Sequence, residues 1–313
     1  MIVDERDGLI GGTVVSKSSL EEVKKFYNTV GSNWGDSYRS KDDAVPDPAV
    51  LRLNVVFKFI ERYGCENFFD AGCADAPVML ELLRRGKVVR GVDFSETLVE
   101  NGKSLLSKHG FDPGLCEIGD VTCLDEPNDT YDTILCLGVL PHIDRMDKAI
   151  KELVRITKPR GILILSFRND LFDLFTFNRF TLEFFTDRFL PMVPFSEDEH
   201  ERALKGLNSL LTFPDKPDVD CTDIAQTKFN RLTRINHNPL TIGQDMAPFG
   251  ITHLMNGYYK FHPVPPLLQN QFPNFREIGA KMDETLSFSW LGMFMCSTFV
   301  AAFRKDKDKL HQR

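Results

Sequence analysis

The segment Phe68-Phe69-Asp70-Ala71-Gly72-Cys73-Ala74-Asp75-Ala76 carries an apolar run into an acid and then into a turn of small residues. About twenty residues on, Val88-Val89-Arg90-Gly91-Val92-Asp93-Phe94-Ser95 repeats the device. Runs this short, apolar on both faces and separated by a helix-forming stretch, predict neighbouring parallel strands joined by a crossover helix. Right-handed crossovers bring both acids to one rim of the sheet.

The same rhythm extends from Cys65 to Phe167. Strands are expected at Asn67 to Ala71, Lys87 to Asp93, Leu115 to Gly119, Tyr131 to Leu137 and Ile162 to Phe167, with helices at Val78 to Arg85, Glu96 to His109 and Arg145 to Thr157. Ahead of this core, Leu20, Val23, Tyr27 and Val30 recur at helical spacing after a Ser-rich start, and Pro46 and Pro48 introduce a second helix reaching about Tyr63. Residues 1–64 therefore read as a helical cap. The Phe- and Pro-rich span 168–262 is too long for a connection and reads as an insertion or lid, with a helix from Asp198 to Leu211 and a strand-like Asn256 to His262. Residues 263–313 return to the sheet, with strands expected at Phe275 to Met282 and Cys296 to Phe303.

In order and spacing, these pieces resemble the class I S-adenosylmethionine-dependent methyltransferases. The resemblance implies a Rossmann-like α/β sheet with a terminal antiparallel hairpin, here with an N-terminal helical cap and a large insertion after the fifth strand. It implies S-adenosylmethionine as cofactor and methyl transfer as the activity. Asp70 would act through the ammonium end or ordered water, and Gly72 and Ala74 would let the backbone approach the ligand. Glycines are usual where Ala74 and Ala76 stand. Asp93 would accept hydrogen bonds from both ribose hydroxyls, and Phe94 would cover an adenine face, with packing at the sheet edge as its alternative role. Asp120 would bond the adenine amino group beside Val121. The stretch from Tyr131 to Ile143, including Leu137, resembles the strand and loop beside the methionyl group.

Catalysis by this family is chiefly alignment of an acceptor opposite the sulfur–methyl bond. His142, after the fourth strand, is the candidate acid–base group, with loop positioning as its alternative role. Tyr27, Trp34 and Tyr38 in the cap, and Tyr258, Tyr259 and His262 near the end of the insertion, are the substrate-side candidates. A dinucleotide oxidoreductase would use a second acid like Asp93 in the same way, but Asp75 in the turn would repel a pyrophosphate. A non-catalytic interaction module on the same fold is the third alternative.

The net charge of −7 argues against a broad nucleic-acid face, and no apolar run is long enough to span a bilayer. The start of the chain shows no apolar leader, which leads to the expectation of a cytoplasmic protein with its seven scattered cysteines reduced. No spacing suggests a metal site. The expected partner is a small-molecule substrate, with the Phe-rich insertion lining its pocket or forming a homodimer contact.

Overall fold

The computed structural model describes residues 13–16, 20–30, 48–143, 145–210 and 234–307. Five strands run parallel: β2 (Asn67–Ala71), β3 (Val88–Asp93), β4 (Cys116–Ile118), β5 (Tyr131–Cys136) and β6 (Thr157–Asn169). Their spatial order is β4-β3-β2-β5-β6, so the chain reverses direction across the sheet between β2 and β5. A crevice opens at such a reversal, outside the carboxyl ends of the strands.

Side-chain alternation explains the continuous apolar runs. Phe69, Ile134, Leu163 and Leu165 face one core with α5 (Met146–Ile156). Phe68, Leu135, Ile162 and Ile164 face the other with α2 (Pro48–Tyr63), α3 (Pro77–Arg84) and α4 (Glu96–Lys108). With both faces covered, both phases of the central strands are largely apolar, whereas β3 toward the edge exposes Arg90.

The sheet continues beyond β6 through β9 (Cys296–Lys305), antiparallel to β6, and β8 (Ile251–Phe261), antiparallel to β9. The terminal hairpin is thus present, but its first strand is not Phe275 to Met282. That stretch is a helix, Phe275–Leu286, because Phe275, Ile278, Met282 and Leu286 repeat every three or four residues. Met282 and Leu286 pack against the core, and Asp283 on the same helix accepts from the amides of Lys260 and Phe261 at 2.7 and 3.3 Å, pinning it to the end of β8.

The boundary of the insertion at residue 262 is corrected in the same way. Within 168–262, β7 (Arg234–His237) pairs in parallel with the tip of β6, and β8 belongs wholly to the sheet. Arg168 pairs with Thr298 of β9 and with Asn236 of β7, so β7 occupies the edge of β6 that β5 uses further down. It extends the sheet past the end of β5, and β1 (Thr13–Ser16) adds to its outer edge antiparallel. The described remainder of the insertion consists of short helical turns between Leu171 and Met192, the helix Glu197–Leu210, and a short helix Ile242–Met246 followed by a turn Ala247–Phe249.

Ahead of the core, α1 (Leu20–Val30) lies on α4 through Val23, Tyr27 and Leu98. Ser95, whose hydroxyl also caps α4, donates to Asn28 at 2.5 Å. The cap is therefore anchored two residues past Asp93, beside the rim. No helix among the described residues is long and apolar enough to cross a membrane.

Candidate active site

A cavity of about 210 Å³ opens at the carboxyl ends of β2, β3 and β5, roofed by α1. Asp70, Gly72, Ala74, Asp93, Phe94, Asp120, Val121 and Leu137 all line it, as do His142 and Tyr27. The core residues from Asp70 to His142 are brought together because they lie at strand ends and in the turns that follow, while Tyr27 reaches in from α1. Trp34 and Tyr38 lie outside the described residues.

The turn after β2 is built for close approach. Gly72 has φ 84°, and a Cβ there would stand 2.1 Å from a methyl of Val139. Ala74 and Ala76 adopt φ 50° and 61°, so the left-handed geometry that glycine favours is kept by alanines at a cost of about 1–2 kcal/mol each. The turn is held by the Val92 carbonyl, which accepts from Gly72 and Cys73 at 2.8 and 2.9 Å.

Asp93 ties this turn to the next. Its Oδ2 accepts from the Ala74 amide at 3.0 Å and its Oδ1 from the Ser95 amide at 2.9 Å. The carboxylate is 5% exposed, and burial raises its pKa against the pull of those amides. Each oxygen retains a second lone pair, so a preoriented acceptor for a vicinal diol faces the cavity.

Asp70 is the more exacting observation. It is 2% exposed and its Oδ2 has no hydrogen-bond partner among the described residues. Burial pushes its pKa up to about 7, with Arg52 opposing and Asp93 adding to the rise. A buried carboxylate at a cavity wall with one oxygen lacking a partner is costly unless a cationic donor arrives.

Arg52, not anticipated from the sequence, lines the same space from α2. A Cβ on Gly138, itself at φ 80°, would come within 2.8 Å of its Nη1. In sequence Arg52 stands between Leu51 and Leu53 near the start of a helix that also carries Lys58, Glu61 and Arg62, so nothing singles it out. Arg145 and Ile143 also line the cavity beyond His142, and Gly138 is fixed by its amide donating to the Ser166 hydroxyl at 2.6 Å.

At the β4 end of the cavity, Asp120 Oδ1 accepts from the amide and hydroxyl of Thr122, both at 2.8 Å, which shapes the turn after β4. Tyr27 meets Phe94 edge to face at 5.9 Å between ring centres. Burial and the nearby Asp93 raise its phenol pKa, so it stays protonated.

Tyr258, Tyr259 and His262 do not join this site. They lie on or just after β8, three strands away from β5, a separation of roughly 14 Å at ordinary strand spacing. Successive side chains on a strand point to opposite faces, so Tyr258 (2% exposed) enters one core and Tyr259 (5%) the other. His262 packs its ring on Phe172 at 4.8 Å, and burial lowers its pKa to about 3. None of the described residues 168–262 lines the cavity, so the described Phe residues of the insertion do not form its wall. Phe172 is buried against the core while Phe177 points outward.

Residues 69–165 match the family model described as Methyltransferase domain. A ubiquinone biosynthesis O-methyltransferase of Coxiella burnetii is 26% identical over 157 residues, 50% of this chain and 65% of that protein. Its counterpart from Shewanella sp. is 23% identical over 214 residues, covering 68% and 88%. The matched part thus spans just under two thirds of the length of the Coxiella relative. Among solved structures, magnesium protoporphyrin IX methyltransferase from Synechocystis PCC 6803 with bound SAH superposes with a TM-score of 0.54 at 16% identity, covering 92% of this chain and 100% of that one. The cyclase SpnF gives 0.54 at 15% identity, covering 95% and 100%. These likenesses establish the fold, and the presence of a cyclase among them shows that the fold alone does not fix the reaction.

Proposed function

We propose, because this chain belongs to the class I S-adenosylmethionine-dependent methyltransferase family, that it binds S-adenosylmethionine in the rim cavity and methylates an oxygen or nitrogen of a small molecule. The observation that carries the reading is the buried carboxylate of Asp70, with one oxygen unpartnered among the described residues, in the same cavity as the preoriented Asp93. Two acids suit a ligand with an ammonium, a sulfonium and a ribose diol. They disfavour a pyrophosphate, which would place like charge beside Asp70 and Asp93.

When bound, S-adenosylmethionine supplies a methyl carbon already made electrophilic by its positive sulfur. The chain's own residues then bind and align. Asp70 meets the ammonium, Arg52 meets the carboxylate at the same end, Asp93 takes the ribose hydroxyls, and Asp120 with Val121 frames the base against Phe94. Val139 and Ile143 give an apolar wall that excludes water from the transfer path. His142, in the turn after β5, takes the proton released by an acceptor hydroxyl or amine. Tyr27, held protonated, keeps an O–H that can donate in this space. The O-methyltransferases among the relatives support oxygen as the acceptor atom.

Titration calorimetry with S-adenosylmethionine and its demethylated product tests the cofactor half. Comparable affinities are expected, since the contacts address the shared nucleoside and amino acid. No saturable heat with either, or preference for a nicotinamide dinucleotide, would sink the reading. A metabolite extract incubated with isotopically labelled methyl donor tests the rest: label should enter a low-molecular-mass product, and label found only in protein or RNA would overturn the small-molecule assignment.

A further inference from the structure

Cys73 and Cys116 stand 43 residues apart in sequence, yet their sulfurs are 3.6 Å apart. Cys73 sits in the turn after β2, 3% exposed, and lines the cofactor cavity. Cys116 opens β4 and is 0% exposed, behind it. Among the other described cysteines none is recorded in contact with a second thiol. The pair couples a turn that touches the ligand to a strand that does not.

We propose that Cys73 and Cys116 are a thiol pair oxidised to a disulfide through the empty cavity, and that the bond closes the site to the cofactor. A peroxide oxygen entering the cavity meets Cys73 first. The sulfur attacks one oxygen, giving a sulfenic acid and one water. Cys116 then displaces the hydroxyl, forming the S–S bond and releasing a second water. Two thiols lose two protons and two electrons, and the peroxide is reduced to water.

Geometry makes the bond disruptive. The sulfurs must close from 3.6 Å to about 2.05 Å. Cys116 is fixed by its pairing with Gly91, and α4 crowds it, since a Cβ on Gly102 would stand 3.0 Å from its sulfur. The movement therefore falls on Cys73 and its turn, where Ala74 already holds a disfavoured φ of 50°. Drawing that turn toward β4 pulls the Ala74 amide off Asp93 Oδ2 and displaces the acid meant for the ribose. The contact with Cys116 and burial raise the Cys73 thiol pKa well above the ordinary value, so oxidation is slow and quickens with rising pH. By linkage, whatever fills the cavity opposes the disulfide as strongly as the disulfide opposes it.

The ligand arm of the test rests on the cofactor reading above, whereas the cross-link does not. Ligand-free protein is treated with hydrogen peroxide, alkylated, digested without reductant and analysed by mass spectrometry, with S-adenosylhomocysteine titrated before and after. A Cys73–Cys116 linked peptide is expected, with at least 10-fold weaker binding that returns on reduction, and saturating S-adenosylhomocysteine should suppress the link. Cys116→Ala, or Cys116→Ser should the first fold poorly, should bind normally and keep its affinity through a brief peroxide exposure. Oxidation of Cys73 without the linked peptide would overturn the pair, and a linked protein of unchanged affinity would overturn the gate. Failure of the reduced protein to bind at all would instead refute the cofactor reading while the peptide still decides the pair.

Discussion

Asp93 has two tasks, and its substitutions separate them poorly. Replacement by Ala removes a charged acceptor for the ribose and leaves the Ala74 and Ser95 amides without their partner. Cofactor affinity should fall by roughly 10–100-fold, corresponding to about 1.5–3 kcal/mol. Asp93→Asn offers little rescue, because its amide nitrogen must face one of two N–H donors; calorimetry should find it nearly as defective as Asp93→Ala, and wild-type affinity in either folded variant would refute the ribose assignment. Asp70 gives a pH dependence instead. Its pKa is raised from 3.8 to about 7 by burial, so the native state keeps a proton that the unfolded chain releases, and stability contributed by this group is lost as pH rises across that interval. An ammonium ligand selects the ionised form, so cofactor affinity should rise as pH passes upward through about 7. Asp70→Asn should flatten that profile; an unchanged slope would remove Asp70 from the ammonium site.

At the level of elements, β8 and its two tyrosines carry a prediction about what the site does not need. Tyr258→Phe keeps the ring packed against Gly292 and loses only a long contact of 3.5 Å from Asn256, so stability should change by less than about 1 kcal/mol and cofactor affinity not at all. Tyr258→Ala should cost about 3–5 kcal/mol through the cavity it opens in the core. Denaturant titration distinguishes these outcomes, and a defect in cofactor binding by folded Tyr258→Phe would contradict the distance to the site. The sequence made the parallel strands legible because their acids and small turns sit at fixed places after apolar runs. It made the cofactor cavity legible for the same reason: Asp70 and Asp93 stand at the ends of their strands and Asp120 just after one. Strand order beyond β6 was obscured because β8 pairs only with β9, far along the chain, and carries polar Thr252, His253 and Asn256 that blur its alternation. Phe275 to Met282 was misread because a window of eight residues is too short to separate helical from strand spacing. Arg52 was missed because nothing local to α2 reveals that its side chain reaches Gly138.

For the whole molecule, the cavity is a joint between the cap and the sheet. Val23 and Tyr27 of α1 line it together with Asp70, Asp93 and Leu137 of the core, while α1 is otherwise attached chiefly along α4, by the Val23–Tyr27–Leu98 cluster and the Asn28–Ser95 bond. A ligand touching both parts adds contacts that exist only when the cap is docked. At a concentration 100 times its dissociation constant it should stabilise the native state by about 2.7 kcal/mol, visible as a rise in Tm of several degrees. Hydrogen exchange locates that gain. Amides of α1 and of the Gly72–Ala76 turn should slow markedly when S-adenosylhomocysteine is added, with β8 and the helix Phe275–Leu286 changing least, since they open only with the core itself. Tyr27→Ala should abolish the slowing in α1 while the turn remains protected, because the core acids still hold the nucleoside. Protection of the turn with no effect on α1 in the wild-type protein would show that the cap is not a wall of the cofactor site, and the acceptor would then approach from the side that α1 now covers.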